Sequence, residues 1–152
     1  MLRWSACKPA NFAMQPDLER LLESSYRTVV GRDLRADAGG DLYDAPAALL
    51  MHGNEVDPVF CYANRTAQAL WGLTWEEFIR LPSRLSAEPP VQAERDRLLA
   101  RVRAQGFIDD YQGVRVAKDG TRFHISGAVV WMVVVGGTTY GQAALFRQWV
   151  PA

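Results

Sequence analysis

The spacing of apolar positions along this chain changes from a helical to an extended period at Gly106, and the elements on either side follow from it. Upstream, Leu18, Leu21, Leu22, Tyr26 and Val29 form a broad stripe that begins behind Pro16 and Asp17 and stops at Gly31. That spacing predicts an amphipathic helix over residues 16–30. A polar, Gly-containing connection spans residues 32–44. Two short apolar runs follow, Ala48 to Met51, closed by His52-Gly53, and Val59 to Tyr62, opened by Asp57-Pro58; both read as strands. Asn64 then offers a side-chain acceptor to a helix that carries Ala67, Leu70 and Trp71 and ends at Gly72. Thr74-Trp75-Glu76-Glu77 has the reciprocal capping-box spacing, and Leu81-Pro82-Ser83 stops the short helix it starts. On a longer helix, ended by Gly106, Val91, Arg95, Leu98, Leu99 and Val102 share one side, with Gln92, Glu94, Arg97, Arg101 and Arg103 mostly toward water.

Beyond Gly106 the period is two. Val114 and Val116 alternate with Arg115, Lys118-Asp119-Gly120 supplies a hairpin turn, and Phe123 and Ile125 alternate with Arg122, His124 and Ser126. This second strand runs on to Val135, turns at Gly136-Gly137 and returns through Tyr140 to Trp149. The order of elements predicts an α+β fold, an antiparallel sheet of about five strands with helices across one face. Ala128 to Val135 is apolar on both parities, so the other face of the sheet needs a cover as well. Helix 16–30 is the nearest cover, from its own subunit or exchanged from a second one. A homodimer through that helix and the outer sheet face is therefore an expected assembly.

Composition narrows the classes of function. Acidic and basic side chains balance at 17 each, which removes the electrostatic case for a nucleic-acid partner. Arg95, Arg97, Arg101 and Arg103 have acids among them and read as a solvated face. The apolar run from Ala128 to Val135 is far below the roughly 20 residues of a membrane-spanning helix, so no membrane partner is expected. Cys7 and Cys61, the only cysteines, fall in an irregular leader and an apolar strand, which suits a reducing, cytoplasmic setting better than a disulfide-stapled one. Residues 1–15 read as an arm that Trp4, Phe12 and Met14 would dock, and residues 16–152 as one domain.

Several blocks in this order then carry a resemblance: Tyr62-Ala63-Asn64-Arg65-Thr66-Ala67, Thr74-Trp75-Glu76-Glu77, Leu81-Pro82-Ser83-Arg84-Leu85-Ser86-Ala87-Glu88, the stretch Gly106 to Arg115, and Gly141-Gln142-Ala143-Ala144. Over about residues 17–149 the chain resembles the MEKHLA domain family, itself similar to PAS sensor domains. The resemblance implies a PAS-like sheet with helices and a sensory or protein-interaction role, and no established reaction. Members of that family stand alone in bacteria or sit at the carboxyl end of plant homeodomain-leucine zipper proteins. No DNA-binding or coiled-coil segment accompanies the blocks here, so the plant regulatory role is not implied. The family's Trp-Asn after the long strand stands here as Trp131-Met132, and its acidic turn as Gly136-Gly137.

Residues that carry chemistry are sparse. His52 and His124 are the only histidines, and neither has the close His/Cys/carboxylate spacing that fixes a metal. Ser83 or Ser86, taken with a histidine and Asp109 or Asp110, lacks any nucleophile signature, and adjacent strand residues such as Asp109 and Asp110 point to opposite faces. Some PAS-like photoreceptors use flavin, attacked by a cysteine on the short helical insert; the comparable stretch here, 81–88, has Ser83 and Ser86 and no cysteine. No cofactor is predicted, and non-covalent flavin near Asn64, Gln142 or Trp131, or haem through a histidine, stay open. A pocket is expected between helices and sheet, with Asn64, Trp71, Trp75, Phe78, Leu98 and Val102 facing Phe123, Ile125, Trp131 and Gln142, suited to a small apolar or aromatic ligand. Arg84, Asp110, Tyr111 and Arg115 read as a polar network or a patch for an unidentified protein partner. The leading expectation is a non-catalytic sensory or interaction module. The alternatives are a small-molecule enzyme with a His/carboxylate site and an interaction module without a small ligand.

Overall fold

The computed structural model describes residues 14–87 and 92–152; the expected arm at 1–15, except Met14 and Gln15, and with it Cys7, lies outside them. Leu18, Leu22 and Tyr26 recur at the four-residue interval of one helix face. Helix α1 (Met14–Ser25), continued by a π-helical turn (Tyr26–Val30), buries all three. Inside the expected connection sits one further helical turn, α2 (Leu34–Ala38), capped by Asp33 and anchored by buried Leu34 and Ala38. So short a segment shows no period from which to read it. Strands β1 (Ala48–His52) and β2 (Phe60–Ala63) follow. Helix α3 (Arg65–Trp71) starts at Asn64, and α4 (Trp75–Phe78) starts at a complete capping box: Thr74 Oγ1 accepts from the Glu77 N–H while the Glu77 carboxylate accepts from the Thr74 N–H. A 3-10 turn covers Ser83–Ser86, and α5 (Gln92–Gln105) ends at Gly106. The remainder is extended: β3 (Phe107–Val116), β4 (Arg122–Val135), β5 (Thr138–Phe146) and β6 (Gln148–Pro151).

All strands join one antiparallel sheet in the order β2-β1-β5-β4-β3, with β6 also on β4. β6 faces Phe123 to Ser126 of β4 and β5 faces Val129 to Val135 in a continuing register. The expected return strand is thus present, with an interruption at Arg147 opposite Gly127.

Gly127 decides which side chains share a face. Its φ of 63° is the left-handed conformation that glycine adopts without a Cβ penalty. It adds a residue to β4 against β3, since Tyr111 faces Ala128 while Gly113 faces Ile125. Alternation changes parity there. Phe123 and Ile125 point to the helical face; past the bulge, Ala128 and Val130 take that face and Val129, Trp131 and Val133 turn to the other. This corrects the expected place of Trp131 in a pocket under the helices, because counting by twos from Ile125 passes through the bulge unaware of it.

The outer face is covered within the chain. Leu18, Leu22 and Tyr26 of α1 pack with Leu49, Val129, Trp131, Val133 and Leu145. Trp131 meets the Tyr26 ring edge-on at 4.8 Å, and its indole N–H donates to Ser25 Oγ at 2.9 Å. The apolar run therefore needs no second subunit to shield it. On the inner face, Trp71 gathers Phe78, Phe123 and Phe146 around it in edge-on contacts. Cys61 on β2 is disulfide-bonded and not a thiol, which removes the reduced-cysteine argument for a reducing compartment. Among the described residues no helix is long and apolar enough to cross a membrane.

Candidate functional site

The inner face has one thin place. Leu50 pairs with Ala144, and Ala144 pairs in turn with Val130, so a methyl group stands in the middle of a row where its neighbours are branched. Above that row lies a cavity of about 70 Å³. Leu98 and Leu99 of α5, Trp71 at the end of α3 and Ser83 and Ser86 of the 3-10 turn border it from the helical side; Leu50, Ile125, Val130 and Phe146 border it from the sheet. His52, Tyr111, Arg115 and Gln142 supply further polar groups.

Two of these groups are incompletely paired. Arg115 stands opposite Phe123 on β4 and shares its inward parity, so its half-buried side chain enters the layer between sheet and helices. Its Cζ lies 5.4 Å from the centre of the Tyr111 ring, a cation–π contact, and its Nη1 is buried without a hydrogen-bond partner. Burial holds the Arg115 pKa below the ordinary guanidinium value, with the Tyr111 phenol acting in the opposite direction. A guanidinium starts so high that it keeps its charge at neutral pH. Gln142 donates through Nε2 to the Met132 sulfur at 3.3 Å, a weak acceptor, and its Oε1 is buried and unpartnered. The Trp71 indole N–H at the cavity wall is likewise buried without a partner, whereas Ser86 Oγ donates to the Ser83 carbonyl at 2.7 Å and His52 Nδ1 lies 3.0 Å from the Gly53 carbonyl. An unpaired buried polar atom costs about 1–3 kcal/mol, which a ligand placed against it would recover.

The residues expected to line a pocket separate in space. Trp71, Leu98, Ile125 and Gln142 border the cavity. Phe78 and Phe123 fill the ring cluster around Trp71, and Val102 packs with Leu98, Ile108 and Val130. Trp75 stacks edge-on against Tyr62 at 5.6 Å in the other core cluster, where Trp131 also lies. Asn64 is a crosslink. Its Oδ1 accepts from the N–H groups of Leu49 and Ala67 at 3.1 and 3.0 Å, and its Nδ2 donates to the carbonyls of Leu42 and Ala47 at 3.0 and 2.8 Å. That uses its whole hydrogen-bonding capacity within the chain.

The expected polar patch also divides. Arg84 pairs with Asp57 at 3.1 Å and Asp110 with Arg101 at 3.4 Å, all four exposed, whereas Tyr111 and Arg115 turn to the cavity. Alternation alone read Arg115 as solvent-facing. Hairpin symmetry about Lys118-Asp119-Gly120, which sets Arg115 opposite Phe123, carried the signal that it faces inward. Leu50, Val130 and Ala144 were not expected at a site, since nothing in a sequence marks where a layer is thin.

Cofactors can be tested against this space. An apolar cavity near 150 Å³ is large enough to bind one benzene molecule. The cavity as packed, at about 70 Å³, is about half that size. Serine hydroxyls, not thiols, face it from the 3-10 turn. Among the described residues no three His, Cys, Asp or Glu side chains gather in a metal-binding group.

The chain matches the model of the MEKHLA domain over residues 17–151. Its fold is similar to the PAS domain of a protein from Colwellia psychrerythraea, with a TM-score of 0.61 at 16% identity over 70% of this chain and 88% of that one. It is similar as well to a fungal LOV domain photoreceptor, with a TM-score of 0.60 at 17% identity over 93% of this chain and 95% of that one. A PAS domain from a two-component sensor histidine kinase gives a TM-score of 0.58 at 13% identity over 88% of this chain and 98% of that one. At such identities the likeness speaks for the fold. No curated protein matches the chain. Sheet order, helix placement and the sequence match agree: the chain belongs to the MEKHLA domain family and has the PAS fold.

Proposed function

We propose that this domain is a non-catalytic sensory module that binds a small molecule between its sheet and α5 and passes the change through the sheet to α1. The observation that carries the reading is a mostly apolar cavity at which Arg115 and Gln142 hold buried polar atoms with no partner. An apolar enclosure with a few polar anchors is the usual form of a ligand site. Family membership and the PAS fold support a sensory role.

The route to an output lies in the strands themselves. On β4, Val130 borders the cavity while its neighbour Trp131 packs on α1; on β5, Ala144 borders the cavity while Leu145 packs on the outer cluster. A ligand that binds one position of β4 or β5 better than another therefore shifts the packing of α1, and a ligand without that difference in affinity shifts nothing. A protein partner or a second copy of the chain, meeting α1, would read the change.

Filling the cavity from its floor tests the proposal. We expect at least one member of a panel of short alcohols, amides and carboxylates to raise the Tm of the wild-type chain saturably. Ala144→Leu, checked for folding by circular dichroism, should lose that response. A panel that leaves the wild-type Tm unchanged, or a response that survives in folded A144L, refutes the reading.

A further inference from the structure

We infer that the occupant of this cavity is a small organic carboxylate, held by the Arg115 guanidinium and by a second hydrogen bond at Gln142. The inference rests on the ligand-binding reading above and adds the chemical class of the ligand. Its first support is the isolation of the charge. Arg32, Arg35, Arg65, Arg84 and Arg101 each meet a carboxylate. Arg115 has the face of Tyr111 and a buried, unpartnered Nη1, and among the described residues the cavity is lined by no Asp or Glu. Holding the Nη1 end of a guanidinium out of water with neither a hydrogen-bond partner nor a counter-charge is costly. A fold that does so at the wall of a cavity has a place for an anion brought from outside.

Shape and polarity narrow the anion. The guanidinium fork matches the two oxygens of a carboxylate. Gln142 presents N–H or C=O by turning its amide, so it can serve either the second carboxylate oxygen or a hydroxyl beside it. Beside His52, Ser83 and Ser86, much of the remaining wall is apolar, with Leu50, Leu98, Ile125, Val130 and Phe146, which favours an alkyl group over a fully hydrated inorganic ion. Volume sets the length. At about 70 Å³, roughly half of a cavity that binds one benzene molecule, the space admits a chain of about two to four carbons.

The test uses the full chain with acetate, propionate and lactate, and with propionamide and chloride as neutral and inorganic controls at matched ionic strength. Tm and the intrinsic tryptophan fluorescence, to which Trp71 at the cavity wall contributes, are the readouts. We expect saturable binding of a carboxylate, with propionamide and chloride at least about tenfold weaker. Arg115→Gln should weaken the carboxylate by at least about tenfold. Arg115→Met should raise the Tm of the ligand-free chain, because the buried, unpartnered Nη1 is gone. Propionamide or chloride binding as tightly as propionate overturns the carboxylate inference. If short alcohols and amides still bind and A144L abolishes them, the ligand-binding reading stands without it. No response to any of these compounds overturns both. Unchanged carboxylate binding in R115Q, or a less stable ligand-free R115M, makes Arg115 a structural residue and also overturns the inference.

Discussion

Replacing Asn64 with alanine removes one side chain and orphans four backbone groups. The N–H groups of Leu49 and Ala67 lose their acceptor, and the carbonyls of Leu42 and Ala47 lose their donor. Asn64 is fully buried, so solvent does not replace these partners directly. At about 1 kcal/mol net per bond the loss is about 4 kcal/mol, with the capping of α3 included in that sum rather than added to it. Water admitted to the vacated space recovers part of it, and relaxation of β1 changes the rest, giving an expected range of about 3–5 kcal/mol. Against a total stability of about 5–15 kcal/mol for a single domain, that is a large fraction. Asn64→Asp keeps both acceptor bonds but sets carboxylate oxygen against the two carbonyls, and should be no better tolerated. Urea unfolding followed by tryptophan fluorescence measures the difference, with an unchanged m-value showing that the denatured state is comparable. A loss below about 1 kcal/mol in N64A would show that Asn64 does not tie β1, α3 and the preceding loop together. A stable N64A that no longer bound ligand would return this residue to the site.

Three further substitutions probe separate parts of the account. A Cβ at residue 141 would stand 1.9 Å from the His52 carbonyl oxygen in the β1–β5 pair, so Gly141→Ala should cost more than about 4 kcal/mol or yield insoluble protein; a Tm within a few degrees of wild type would contradict that packing. Trp131→Phe removes the hydrogen bond to Ser25 and part of the contact with Tyr26, with an expected loss of about 1.5–3 kcal/mol and faster amide exchange in α1; unchanged exchange there would separate Trp131 from α1. Burial, reinforced by donation to Asp37 at 2.5 Å, pushes the Tyr26 pKa from 10.0 up to about 12. The folded value lies above the unfolded one, so this stabilisation is in place below pH 10 and is lost as pH rises through about 12. The stability gap between wild type and Tyr26→Phe should close over that window, and a difference titration that placed this phenol near 10 would refute the assignment.

Local signals in the sequence were legible because they act locally. The Leu18, Leu22 and Tyr26 stripe, the Asn64 cap, the Thr74 capping box and the Lys118-Asp119-Gly120 hairpin each need only a few adjacent residues to declare themselves, and each stands where its spacing placed it. The need for a cover on the outer face was legible too, since Ala128 to Val135 is apolar on both parities, and α1 supplies it. What failed was long-range parity. One left-handed glycine at residue 127 turned Trp131 to the opposite face, and Arg115 between two valines looked solvated until its partner across the hairpin was known. The cavity depends on the volume left by Ala144 between Leu50 and Val130, which emerges only when three strands come into register. Asn64 shows a related limit: its cap was readable, but its bonds to Leu42, Ala47 and Leu49 are tertiary, and they remove it from the ligand site.

The central claim is that the layer between the sheet and α5 is a ligand site read by Arg115. An amide chemical-shift titration of the isotope-labelled full chain with propionate tests it most directly. The account predicts saturable changes centred on Leu50, Tyr111, Arg115, Ile125 and Gln142, with smaller changes spreading through β4 to α1. Shifts that rise without saturation and scatter over exposed arginines, leaving those five residues unmoved, would contradict it.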